Sequence, residues 1–267
     1  RVIDSNFAIV ASFPELKAKP IVIGESDPDG CAACSAKVYP QNDYRNGTLY
    51  ASYTAASFAR KHDLAEKHGV NLEGALTWAF EFEGQPYFAG FRTLATNGVD
   101  KPVLNVFRMF AKMGGRRLNV KSDGAVALNA ILRNGVRGKP DVSALASLDR
   151  NRLCVLVWHY HDDDVPGDAA NVEVSLDDLP ASAAALRLRH HRIDDERSNA
   201  FTAWRRMGSP QQPTPEQYAT LEKAGRLAAD APAAVNTNGG TAIVRFELAR
   251  QSVSLLEFEW QEPPGPR

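Results

Sequence analysis

Apolar residues follow two rhythms along this chain, and the change falls near Gly115. Residues 20–25, PIVIGE, form a short unbroken apolar run bounded by Pro20 and Gly24, the pattern of a strand buried on both faces, as in a parallel sheet. Over residues 47–68, Leu49, Tyr53, Ala56, Phe58 and Leu64 recur on successive turns with Gly69 just beyond, which predicts a helix with a glycine stop. GALTWAFEF, residues 74–82, reads as a second apolar strand. After a loop, Val103, Val106, Phe107, Phe110 and Met113 stand at helical spacing over 101–113, with Asp100 as the expected cap, Pro102 in the first turn and Gly114-Gly115 at the end. Strand, helix, strand, helix in this order implies the crossover units of an α/β domain.

Beyond Gly115 the pattern becomes short strands separated by turn clusters: RLCVLVWHY at 152–160, TAIVRFEL at 241–248 and SVSLLEFEW at 252–260. An antiparallel sandwich is the natural reading. Val244, Phe246 and Leu248 alternate with Arg245 and Glu247, and Leu256, Phe258 and Trp260 alternate with Glu257 and Glu259, so each strand is expected to bury one face and wet the other. A single helix is expected to interrupt this region. Thr214-Pro215-Glu216-Gln217 supplies its capping box and first-turn proline, with Tyr218, Leu221 and Ala224 along one side. The tail QEPPGPR reads as a loose end, and no internal repeat or low-complexity tract is visible.

The 267 residues are 44% apolar and 24% charged, enough for one large core or two modest ones. Lys and Arg number 31 against 32 Asp and Glu, a net charge of −1, so no long-range field draws in nucleic acid or anionic lipid. No apolar run of about 18 residues occurs, and the first residues, RVIDSNFAIVASF, lack the features of a signal peptide; a membrane span is not expected. Because the chain begins at Arg1, further sequence or an export signal upstream stays open, and with it a cytoplasmic or a periplasmic or secreted location.

Cys31 and Cys34 lie in an Asp-Pro-Asp-Gly turn followed by small residues. That setting suits neither a structural zinc site, which needs a second ligand pair, nor a redox pair opening a helix, and incidental thiols in a loop are expected. Cys154, between Leu153 and Val155, reads as a small core residue. His159 and His161 precede Asp162, Asp163 and Asp164, a grouping with the outline of a metal cluster but better read as a solvated acidic turn. His190-His191 and the charges from Arg192 to Arg197 are expected on an exposed loop or edge.

Glu25 closes the first apolar run, and in α/β barrels the C-terminal strand ends form the reactive face. With the next strand, Trp78, Glu81 and Glu83 would gather on that face. Carboxylates for acid, base or nucleophile roles, and an aromatic plane under the C–H face of a pyranose, are what a sugar site uses. A plainer reading stands beside it, in which Glu25 caps a loop or pairs with Arg45 or Arg92, and Trp78 belongs to a core.

The segment GALTWAFEFEGQPYFAGFRTLATNGVDKPVLNVFRMFAKMGG, residues 74–115, closely resembles the last strand, loop and helix of the catalytic barrel in glycoside hydrolase family 39 β-xylosidases, and PIVIGESDPDGCAAC resembles the strand before it. The run DRNRLCVLVWHYHDDDVPG through SNAFTAWRRMGSP resembles that family's accessory sandwich. The resemblance implies the C-terminal portion of a (β/α)8 TIM barrel in residues 1–115, followed by an antiparallel β-sandwich in 116–267. It also implies that Glu25 is the nucleophile of a retaining mechanism acting on xylo-oligosaccharides or aryl β-xylosides, with no metal or organic cofactor. Trp78 is the expected platform under the sugar, and Glu81 or Glu83 the expected partner of its hydroxyls.

One departure matters. The family's acid/base is a glutamate preceded by asparagine, and no Asn-Glu pair occurs in this sequence. An eight-stranded barrel takes about 250 residues, so residues 1–115 correspond to its last two strand-helix units, and the acid/base is expected outside this chain. The apolar edge of residues 20–25 would then lack a partner, so this stretch alone is expected to be poorly folded or to associate with something, a further copy of the chain included. Two other readings stay open: an α-L-iduronidase-like glycosidase, for which Arg45 and Arg92 would be the basic residues, and a noncatalytic carbohydrate-binding or interaction module carrying a relic of barrel sequence.

Overall fold

The computed structural model describes residues 1–261. Of the tail QEPPGPR only Gln261 falls within that range; residues 262–267, and the expectation placed on them, lie outside the described residues.

The chain opens with α1 (Val2–Ala11) and the short α2 (Pro14–Lys17), neither expected from the sequence. Ile3, Phe7 and Val10 carried the helical signal, and Phe7 is buried against Leu64 and Ala65 with Ile21, Ile23 and Leu72 around them. β1 (Pro20–Ile23) pairs in parallel with β2 (Asn71–Ala75) in a two-stranded sheet. Between them, after a 3-10 turn at Pro40–Asn46, runs α3 (Thr48–His68), closed by Gly69 in the left-handed conformation at φ 60°, where a side chain would be strained.

Two corrections belong here. β1 is not buried on both faces: it alternates exposed and half-buried, with Val22 55% exposed, because β2 is its only strand partner among the described residues. The second strand does not run through residue 82 either. It ends at Ala75, and the following chain turns away to bond with residues 92–94 through Ala79 N–H to Arg92 O and Leu94 N–H to Phe80 O.

A small hairpin, β3 (Ala95–Thr96) and β4 (Val99–Asp100), leads into α4 (Pro102–Lys112). Its N-cap is Lys101, which makes no side-chain capping bond, rather than Asp100, whose carboxylate pairs with Arg108 instead.

The remainder is antiparallel. β5 (Arg116–Leu118), β6 (Asp141–Asp149), β7 (Arg152–Tyr160), β9 (Ala185–Ile193), β10 (Ala228–Ala229), β11 (Ala233–Asn236) and β13 (Ser252–Glu259) make a seven-stranded sheet. Its order is β10-β9-β13-β7-β6-β5, with β11 also on β9. β8 (Ala170–Leu176) pairs with β12 (Ala242–Leu248) in a second sheet. Leu153, Val155, Val157, Leu256 and Phe258 of the large sheet share a core with Leu176 and Leu248 of the small one.

The opposite face of the large sheet is covered as well. Cys154, Leu156, Trp158, Val253 and Leu255 pack against Leu49, Ala55 and Ala59 of α3 and Val106 and Met109 of α4. One-faced burial therefore holds for β12 but not for β13, where Glu257 is buried too. Among the described residues three α-helices rather than one interrupt this region, α5 (Leu128–Asn134), α6 (Ala200–Arg206) and α7 (Pro215–Gly225), besides a 3-10 turn at Ala181–Ala183. The capping box at Thr214 and Gln217 forms as the sequence requires.

His190 and His191 are not on an exposed loop. They lie in β9, buried, with His190 Nε2 2.9 Å from Ser254 Oγ on one side and His191 Nε2 3.2 Å from Glu257 Oε2 on the other. His159 and His161 are buried as well, facing the carbonyls of Leu248 and Gly138. Cys154 is a buried free cysteine. Among the described residues no group of three or more His, Cys, Asp or Glu is arranged to hold a metal ion, and no helix is long and apolar enough to cross a membrane.

Candidate active site

Glu25 follows β1 at its C-terminal end. The parallel ladder continues just past the strands through Leu76 N–H to Ile23 O (2.9 Å) and Ser26 N–H to Leu76 O (2.8 Å), which fixes the backbone on both sides of Glu25. Its side chain is 53% exposed, and one carboxylate oxygen, Oε1, is ion-paired with Nη2 of Arg92, which is only 3% exposed.

Arg92 binds on all its other nitrogens. Nη1 donates to the carbonyl of Asp29, and Nε donates to the carbonyl of Trp78 at 3.3 Å and lies 3.6 Å from Asp27 Oδ2. Burial presses its pKa below the ordinary value. Asp27, equally buried, accepts from Tyr50 Oη at 2.8 Å and Thr77 Oγ1 at 2.5 Å through its other oxygen. Burial, and after it the Asp27 charge, pushes the Tyr50 phenol well above its usual range, so it stays a hydrogen-bond donor.

The loop after Glu25 is tied from inside. Arg45, 1% exposed, pairs with Asp29 and donates to the carbonyls of Gly30 (3.1 Å) and Cys31 (3.2 Å), and Tyr44 Oη donates to Asp29 at 2.8 Å. Cys31 and Cys34 are joined in a disulfide, which corrects the reading of them as incidental thiols. The segment carrying Arg92 approaches this loop closely. A Cβ on Gly90, at φ 77°, would lie 2.6 Å from Ala36 Cβ, so the residue there must be glycine.

Trp78 is 53% exposed and Phe80 61% exposed, with Trp78 edge-on to Phe82 and Phe82 to Phe91. Trp78 is thus not a core residue, and its backbone carbonyl shares Arg92 with Glu25. Glu81 turns elsewhere: its Oε2 accepts from the Gly98 N–H at 2.9 Å and caps the β3–β4 turn. Glu83 is exposed and has no hydrogen bond or ion pair among the described residues. Asp27, Tyr50 and Thr77 were not singled out from the sequence; the cue was an acid two residues beyond Glu25 whose burial needs partners from a helix and a neighbouring strand.

The pattern of glycosyl hydrolases family 39 matches residues 5–242, most of the chain. The chain belongs to this family. A β-xylosidase of Caldicellulosiruptor saccharolyticus is 24% identical over 151 residues, 55% of this chain and 28% of the relative. Among solved structures, a monomeric β-xylosidase from Caulobacter crescentus CB15 superposes with a TM-score of 0.71 at 18% identity, over 97% of this chain and 49% of that one. A bacterial orthologue of human α-L-iduronidase superposes at 0.77 with 17% identity, over 99% and 46%. The glycosyl hydrolases family 39 enzyme from Xanthomonas axonopodis pv. citri gives 0.69 at 18%, over 97% and 48%. These likenesses show the fold: mixed helix and sheet of the TIM-barrel glycosidase kind. The chain spans about half the length of these structures and less of the xylosidase sequence.

Proposed function

We propose that this family 39 chain supplies the nucleophile half of a retaining exo-β-1,4-xylosidase, which removes xylose from the non-reducing ends of short xylo-oligosaccharides. Glu25 attacks the anomeric carbon, the bond to the leaving oxygen breaks, and water later releases the sugar from the glycosyl-enzyme. Trp78 forms the platform under the sugar, and of Glu81 and Glu83 it is Glu83 that bonds its hydroxyls, since Glu81 is held by the Gly98 N–H. The acid/base lies outside these residues. In this reading residues 1–115 are the end of the catalytic barrel and 116–267 an accessory sandwich.

The observation that carries the proposal is Glu25 itself: an accessible carboxylate at a parallel strand's C-terminal end, held against a buried guanidinium that also bonds the backbone carbonyl of Trp78, whose side chain is exposed. The iduronidase-like reading is weaker, because Arg45 and Arg92 are buried and already bound to Asp29, Glu25 and loop carbonyls, leaving neither turned toward a sugar carboxylate.

In the full-length protein Glu25→Ala is expected to lower turnover of an aryl β-xyloside by several orders of magnitude, and azide to restore rate by entering the vacated face. Near-native activity of that variant would sink the assignment. The 267-residue chain alone is expected to release no measurable xylose from xylobiose, since loss of the general acid costs about 10²–10⁴ in rate and the sugar lacks its remaining walls.

A further inference from the structure

We propose that Arg92 is the positioning residue of Glu25, and that Asp27 holds Arg92 in place for that task. The inference rests on reading Glu25 as the nucleophile. A free glutamate side chain on the surface samples many rotamers, whereas an in-line attack needs its oxygen within a narrow cone of the anomeric carbon. Glu25 is more than half exposed, and its only ion-pair or hydrogen-bond partner among the described residues is Arg92. That contact takes Oε1, so Oε2 is left as the attacking atom.

Arg92 is built to stay still. Its backbone is clamped on both sides, by its N–H to Ala32 O at 3.0 Å and by Ala79 N–H to its carbonyl at 3.2 Å, and Ala32 lies inside the loop closed by the Cys31–Cys34 disulfide. A buried guanidinium is costly unless a charge compensates it and its donors are used. Both conditions are met: its nitrogens bind the carbonyls of Asp29 and Trp78, and Asp27 is the buried counter-charge.

Asp27 is fixed in turn. Tyr50 and Thr77 occupy Oδ1, while Oδ2 has no hydrogen-bond partner and faces Nε of Arg92. A carboxylate kept buried with one oxygen unbonded is explained by the guanidinium it faces. The charged or titratable groups around this pair, among the described residues, are Asp29 on the loop, Tyr44 and Arg45 on the 3-10 turn, and Tyr50, Tyr53 and Lys61 on α3.

The test follows the covalent step directly in the full-length protein, with 2,4-dinitrophenyl 2-deoxy-2-fluoro-β-D-xyloside as probe. Its phenolate leaves with the bonding electron pair and needs no acid, so the rate of inactivation reports the nucleophile. For the unaltered protein, a single fluoroxylosyl adduct on Glu25 is expected. In Arg92→Gln, inactivation should slow by about 10²-fold with little change in the probe concentration giving half-maximal rate. The acid limb of its pH profile should move to higher pH, because the charge favouring ionised Glu25 is gone. Arg92→Lys should recover part of both effects, and Asp27→Asn, which frees Arg92 to move, should slow inactivation to a lesser degree without moving the acid limb to higher pH.

Inactivation of Arg92→Gln at the unaltered rate, with the acid limb unmoved, overturns the proposal while leaving the nucleophile assignment intact. An adduct on another residue, or none, overturns both. Should Arg92→Gln fail to fold, Asp27→Asn decides: an unchanged inactivation rate in that variant counts against the proposal.

Discussion

Two apolar strands, β1 and β13, teach opposite lessons about burial. β1, with Ile21, Val22 and Ile23, is the more uniformly apolar, yet Val22 is 55% exposed. β13 carries Ser252, Ser254 and Glu257, yet is buried nearly end to end. The difference lies in neighbours. β13 sits between β7 and β9, with α3 and α4 on one face and the small sheet on the other, so its polar groups are satisfied from within: Ser254 by His190, and Glu257 by His191 and by Lys112 at 3.6 Å. Among the described residues β1 has one strand beside it, and Glu25 just past its end is 53% exposed.

Substitutions sharpen this contrast, and the largest effect is expected at Phe258, fully buried in β13. Phe258→Ala should cost about 3–5 kcal/mol in urea unfolding; a loss near that of a surface change would mean that the shared sheet core is loosely packed.

Next comes Lys61, buried on α3 beside Ser57 Oγ at 3.0 Å and the Phe58 ring at 3.8 Å. Burial pushes its pKa down from 10.5 to about 7. Between those values the unfolded chain holds more protons than the folded one, so this group makes stability rise with pH across that window. Lys61→Met should add about 1–3 kcal/mol at neutral pH and below and reduce the slope. Thermal melts at several pH values read both.

His190 acts on the acid side. Burial pushes it down from 6.5 to about 4, so its contribution is intact above 6.5 and is lost as pH falls toward 4. His190→Gln keeps a partner for the Ser254 hydroxyl and should flatten that fall; an unchanged pH dependence would assign the loss to other groups. Smaller still, replacing Cys31 and Cys34 with Ser opens a loop of three residues' separation and should cost at most about 2 kcal/mol. Last, Val22→Thr should stay within about 0.5 kcal/mol.

What the sequence disclosed followed from signals confined to one element. α3, α4 and α7 were legible because periodicity, a glycine stop, a first-turn proline and a capping box are all local. Partners distant in sequence were not. His190 and His191 look like surface residues until β13 places Ser254 on one side and Glu257 on the other. The strand read through residue 82 stops at Ala75, where its pairing with Ile23 of β1 ends. At the site, Glu25 could be named from its strand end and its family resemblance, but Asp27 could not, since its meaning depends on Tyr50, Thr77 and Arg92 converging from three other segments. The disulfide was missed because a three-residue separation in a turn suits reduced and joined cysteines alike.

The core that joins α3 and α4 to β7 and β13 also bears on how such a chain is inherited. A crossover in the gene at Gly115 would look harmless, between one kind of secondary structure and another. It would nevertheless separate Ala55 and Met109 from Trp158 and Leu255, surfaces shaped to each other. A foreign segment grafted there would meet a sheet face that does not fit it. Lineages of this chain should therefore keep the two parts together, and change on one side of that seam should be answered by change on the other.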